Sequence, residues 1–415
     1  MPLNNISDLR LIAEKLYIVV FLLLCMAGVV FPFSVAATNV ALGGALVIGV
    51  LSGTWGNGAL RMWRCYRGLC IAMLLYWGLL LLGLLWSHDR VWGIHVISRQ
   101  WEWLLVPIIT EIMASGHWRT RFLAALSIGL VVHLGFCLLQ MFGYVTVTTD
   151  ASSAADATGH IGHIGFGAVY GMWAGWLLLW GWRRHGWPRM VAWLIAIWAW
   201  TFIFMAQGRS GYVVALALFL AVLWKILFRK GDWRWLAWIG GVVILVSGVL
   251  AMGPAKERLQ ITWQNIQAIE HGDIYDAGPR WSMWKAALKI WQSHAGLGVG
   301  TGGFPNAAAK MAKLHPEFNY GGITGQVAAH PHNMYLLALT RWSVWGMGAF
   351  LLLIWTWIRT GWKMDWRASE AGALIFLSGT ALAIQGLTAP SLEEHFEAIL
   401  AVLLLGSGLA MAQDT

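Results

Sequence analysis

Charge is what this chain has least of. Only 11% of its 415 residues are Asp, Glu, Lys or Arg, against about 25% in soluble domains. That shortage excludes an ordinary soluble protein. Cysteine is scarce too, and Cys25, Cys65, Cys70 and Cys137 fall within or beside apolar runs. None lies in the long polar segment and no Cys/His spacing suits zinc, so they read as buried thiols. What is present is apolar: 59% hydrophobic residues, 30 tryptophans and 48 glycines. Small residues let membrane helices approach closely. The composition is that of an all-α polytopic membrane protein.

A hydrocarbon core of about 30 Å needs roughly 20 mostly apolar residues per helix. Twelve such windows occur, near 14–33, 35–53, 67–86, 91–114, 121–142, 162–182, 188–206, 210–228, 235–252, 342–360, 368–387 and 395–413. The first, with Arg10 and Lys15 before it and Ser34-Val35-Ala36 after it, mimics a signal peptide. Another apolar segment follows at once, so an uncleaved span is expected. His95, Arg99 and Glu102 interrupt the fourth window.

Alternating the sides with the N-terminus inside sorts the cations. Cytoplasmic segments then hold Arg10 and Lys15; Arg61, Arg64 and Arg67; Arg119 and Arg121; Arg183, Arg184 and Arg189. They also hold Lys225, Arg229, Lys230 and Arg234, then Arg359, Lys363 and Arg367. The positive-inside rule is met in every internal loop, which places both termini in the cytoplasm. The expected organisation is helices 1–9 over residues 1–252, a large external loop with amphipathic helices over 253–341, and helices 10–12 over 342–415. In a bacterium the external side is periplasmic.

Cations are sparse at the external helix ends, so each one there asks for a reason. Arg209 stands in the hairpin "AQGRSGY", with Gly208, Ser210 and Gly211 around it. It could snorkel to the interface. Its glycines, however, let backbone approach a ligand, and guanidinium matches phosphate oxygens bidentately. Arg280 follows Pro279 in the first turn of an expected helix over 277–294. There, unpaired amides and the helix dipole favour an anion. Trp281, Trp284, Leu288 and Trp291 recur at helical spacing as an interfacial stripe, with Lys285 and Lys289 facing water. "GLGVGTGGF", 296–304, contains a literal G-x-G-x-x-G. The dinucleotide fold needs a strand before it; here a helix precedes it, and a flexible turn lining a substrate cleft is expected instead.

"AAHPHNMYLL", 328–337, supplies two histidines. Pro331 keeps His330 out of a helix, while His332-Asn333 can start one. The unperturbed imidazole pKa, near 6.5, suits proton transfer at neutral pH. Elsewhere, Ser391 and Glu394 are spaced as a capping box, leaving Glu393 and His395 as supporting groups. His160 and His163 lie three apart without a nearby carboxylate, which is weak for metal. No D-x-D occurs on the external side, which argues against a metal-bridged diphosphate.

In this order the pieces resemble the O-antigen ligase and polymerase superfamily. They are Gly208-Arg209-Ser210-Gly211, Arg280-Trp281-Ser282-Met283-Trp284, Gly296-Leu297-Gly298-Val299-Gly300 and His332-Asn333-Met334-Tyr335-Leu336. The resemblance concentrates in residues 206–340. It implies a GT-C-type glycosyltransferase of the bacterial inner membrane with a periplasmic active site. The implied donor is a glycan on undecaprenyl diphosphate, the acceptor a sugar hydroxyl of lipid A–core. Membrane lipids are the other implied partner; no nucleic acid, metal or cofactor is. By the same resemblance His332 is the general base, and Arg209 and Arg280 hold the diphosphate. His330, Asn333, Gly208, Ser210, Trp284 and His395 are supporting candidates. A polymerase, a protein O-glycosyltransferase and, outside the enzymes, a lipid or solute transporter are the alternatives. Arg99 and Glu102 in the fourth window are what most favours transport.

Overall fold

A computed structural model of the chain describes residues 6–147, 153–154, 156–206, 208–227, parts of 256–271, and 279–315, 318 and 329–411. The expected ninth span, 235–252, and most of 253–278 lie outside these residues. Among them the architecture is helical, with one isolated bridge between Ser153 and Asp156. In chain order the helices begin with α1 (Ile6–Val30), α2 (Val35–Leu51), α3 (Thr54–Cys65), α4 (Arg67–Leu82), α5 (Arg90–Ser98) and α6 (Val106–Ile112). The next are α7 (Gly116–Met141), α8 (Gly162–Trp182), α9 (Trp187–Met205) and α10 (Arg209–Leu227). After the undescribed stretch come α11 (Pro279–Ser293), α12 (Phe304–Leu314), α13 (Met334–Lys363), α14 (Ala371–Gln385) and α15 (His395–Met411).

Five of the described helices are long and apolar enough to cross a membrane, and up to six if α2 and α3 form one bent span. This is a multi-pass membrane protein. The centre is α8, which packs against α9, α10, α14 and α15. Its crossing with α10 is a contact of two glycines: a Cβ added at Gly167 would lie 2.1 Å from the Gly211 Cα. Only residues without side chains allow backbones that close.

The fourth window is not one helix. It breaks into α5, a 3-10 segment (Trp101–Leu105) and α6. Gln100 and Glu102 are buried in the break. A polar side chain at such depth is tolerable when protein rather than lipid surrounds it, and the break turns both inward. The internal loop expected after α2 is also helical. α3 turns 83° from α2 and packs on α6, where Arg61 Nε meets Glu111 Oε2 at 2.8 Å.

The tenth window, 342–360, begins earlier than expected and is kinked. Trp342 and Ser343 leave helical geometry, Ser343 with φ 56°. The kink frees the carbonyls of Thr340 and Arg341, which accept from Val299 N and Gly300 N, both at 2.9 Å. Thr301 N donates to Gly83 O at 3.1 Å, and Trp342 Nε1 donates to Thr301 Oγ1 at 3.1 Å. The glycine-rich turn is therefore a buried joint between α4 and α13, not a flexible lining. Gly298 and Gly300 sit at φ 72° and 81°, where a side chain is strained and would strike the Arg341 and Gly83 carbonyls.

Residues assigned to the same side meet one another. At one end Arg183 Nη1 pairs with Glu370 Oε1 at 3.1 Å, and Arg367 Nη2 donates to Ile226 O at 2.9 Å. At the other end Gln385 Nε2 donates to Ile164 O at 2.8 Å, and Gly208 rests on the His163 carbonyl.

Candidate functional site

The polar residues singled out above lie at that second end. Arg209 opens α10, half-buried, where Gly208 lets the hairpin seat on the start of α8. Tyr212 closes the hairpin by donating its hydroxyl to the Ala206 carbonyl. Ser210 follows, half-buried.

Arg280 lies in the first turn of α11, which packs on α13. The face that docks is Ser282, Ala286, Ala287 and Ile290, all buried. The tryptophans expected at the membrane interface lie off this face, with Trp281 and Trp284 half-buried. Trp291 still reaches inward, donating to Ser343 Oγ at 3.1 Å, while Leu288 is exposed. Trp284 packs edge-on to Trp281 at 6.4 Å and flanks the site rather than entering it. Burial, and then the positive charge of Arg209, push the Arg280 guanidinium below its ordinary value. Two half-buried cations that disfavour each other create a place where an anion is favoured.

His332 precedes α13 with φ 50°, a left-handed backbone that few non-glycine residues adopt. Its amide donates to His330 Nδ1 at 3.3 Å, and the two rings meet edge-on at 4.4 Å. Asn333 caps α13, accepting from Leu336 N at 3.0 Å and donating to Leu387 O at 3.0 Å. Both ends of its amide are thus used by backbone, so Asn333 fixes His332 in place and is not its reactive partner. Met334 N donates to Gly386 O at 2.6 Å, tying the same corner to the loop after α14.

His332 is lowered below its ordinary pKa, first by burial and then by Arg280. His330 is pushed down to about 3, by burial and then by His332, Arg341 and Arg99. Both imidazoles are therefore neutral at neutral pH, and His332, the less buried, keeps a basic nitrogen for an incoming hydroxyl. A base works only when unprotonated, so its rate falls as pH drops through its folded pKa. Activity dependent on His332 is expected to hold down through pH 6.5 and fall below it. Replacing Arg280 by Gln removes a repelling charge, so the acid limb of a pH–rate profile should move upward.

The chain of influence runs from Arg209 to Arg280 to His332 to His330. His395 is not part of it; it lines a separate cavity together with Arg99, Glu393 and Glu394. His160 and His163 do not converge, since His160 stacks on Phe136 while His163 Nδ1 lies 3.1 Å from Asp156 Oδ2. Among the described residues no group of three or more His, Cys, Asp and Glu is arranged to hold a metal ion.

Arg341 is the residue that sequence reasoning missed. It is 1% exposed and forms a two-pronged pair with Glu393. Arg341 is a lone charge within apolar sequence, and that was the available signal.

Residues 193–351 match the family model described as O-antigen ligase. Compared with curated proteins, the chain matches none.

Proposed function

We propose, from the match of residues 193–351 to the O-antigen ligase family model, that the protein carries out a glycan transfer. The donor is a glycan on undecaprenyl diphosphate, the acceptor a sugar hydroxyl of lipid A–core, and the reaction takes place on the periplasmic face. The observation that supports this reading most is that the charges of Arg209 and Arg280 reach one another and a neutral His332.

The chemistry follows from that order. The diphosphate sits against Arg209 and Arg280, whose guanidiniums match its oxygens. His332 takes the proton of the acceptor hydroxyl as that oxygen attacks the anomeric carbon. The glycosidic bond to phosphate breaks from the opposite side, so the anomeric centre inverts. The departing diphosphate takes up negative charge that the two arginines stabilise, commonly the largest single catalytic contribution. No sugar nucleotide or metal is required in this scheme.

Arg209→Ala and Arg280→Ala are expected to weaken binding of the lipid-linked donor. Removing a charge-assisted hydrogen bond costs about 1.5–3 kcal/mol, roughly tenfold to a hundredfold in affinity. Donor titration of the purified variants reads this directly; unchanged affinity in both would remove the arginines from the site.

The polymerase alternative shares the donor and differs in acceptor. Incubating purified protein with donor, with and without lipid A–core, separates the two. Ligation requires lipid A–core; lengthened lipid-linked glycan from donor alone would establish polymerisation instead.

A further inference from the structure

A cavity of about 290 Å³ opens at the loop before α15, walled by Asn39, Arg99, Trp101, Glu102, Glu394 and His395. Three segments distant in sequence build it: the start of α2, the break between α5 and α6, and the loop before α15. Its position follows from the break, which buries Glu102 and leaves Arg99 exposed.

The cavity is made for a polar occupant. Glu102 is 3% exposed, yet its Oε1 has no hydrogen-bond partner among the described residues, nor have Asn39 Oδ1 and His395 Nε2. Buried polar atoms are costly when unpaired, and three among the residues lining one cavity leave hydrogen-bonding capacity there that packing does not use. The wall offers acceptors in Glu102 and Glu394, donors in Arg99 and the Asn39 amide, and the Trp101 indole. Sugar hydroxyls are donors and acceptors at once and suit this mixture. The volume lies at the lower end of small-ligand pockets, about 300–1,000 Å³, which suits a single ring.

The 386–395 loop joins the cavity to the His332 corner: Glu393 lines the cavity and pairs with Arg341 of α13, and Leu387 O accepts from Asn333 Nδ2 at 3.0 Å. We propose that this cavity is the subsite for one neutral sugar ring of the acceptor saccharide, held next to the residue whose hydroxyl is glycosylated. The proposal rests on the glycan-transfer reading above. It assigns Arg99 and Glu102 to substrate binding at one face rather than to a transport path.

Two measurements on the full-length protein test it. The first is acceptor KM at saturating donor for Glu102→Gln and Asn39→Ala, with donor affinity measured alongside. Acceptor KM should rise about tenfold, as loss of a hydrogen bond to a buried charged group implies. The maximal rate and donor affinity should stay within about twofold. Asn39→Ala removes a carbonyl with no hydrogen-bond partner among the described residues, so it carries the test if Glu102→Gln does not fold. The second is binding of deacylated lipid A–core oligosaccharide by ligand-observed NMR, which needs no turnover. Wild type should bind and both variants should bind more weakly. Folded variants with wild-type acceptor KM and oligosaccharide binding would overturn the subsite. Oligosaccharide binding that the variants lose, in a wild type that transfers nothing, would instead overturn the ligase reading and support the subsite.

Discussion

His332→Ala lowers glycan transfer at least about a hundredfold while donor binding stays near the wild-type value. Positioned general-base catalysis contributes about 10²–10⁴ in rate, and the residue is not placed to hold the diphosphate. Its amide contact with His330 Nδ1 involves backbone, so truncating the side chain leaves that bond possible. His330→Ala should cost less, because His330 is the more buried ring and serves to support its neighbour. Single-turnover transfer with pre-bound donor separates chemistry from binding. A His332→Ala variant with near-normal turnover would remove it as the base.

The second large effect is on stability. Arg341→Ala or Glu393→Ala leaves one buried charge unpaired, and breaking such a pair costs about 3–5 kcal/mol. Gln100 Nε2 also donates to Glu393 Oε1, at 3.3 Å, so the pair ties the fourth-window break to the kink of α13. Thermal unfolding in detergent should show each single variant strongly destabilised. The double variant Arg341→Met with Glu393→Leu should recover most of the loss, since apolar replacements of a buried pair are often neutral or better. Equal destabilisation of single and double variants would show that the pair is not the source.

Much of this was legible before any coordinates. Long apolar windows became helices in nearly every described case because the bilayer leaves the backbone no alternative. The arginines and histidines were found by their rarity on the external side, a signal local to each hairpin or helix start. Tertiary contacts decided the rest. The break at Gln100–Trp101 and the kink at Trp342–Ser343 exist because neighbours accept the freed backbone groups, and no local propensity announces that. The docking face of α11 was not legible because tryptophans dominate its periodicity, while the small Ala286 and Ala287 and the apolar Ile290 are what is buried. The "GLGVGTGGF" glycines looked like flexibility; their positive φ values instead serve a fixed joint. The cavity could not be read at all, because its wall comes from residues 35–39, 98–102 and 393–395.

The most direct measurement is transfer by the purified protein, supplied only with undecaprenyl-diphosphate-linked glycan and lipid A–core, in chelator and without nucleotides. The account predicts glycosylated lipid A–core, released undecaprenyl diphosphate and an inverted anomeric configuration. Absence of transfer under these conditions, with activity restored by a sugar nucleotide or a divalent metal, would contradict it.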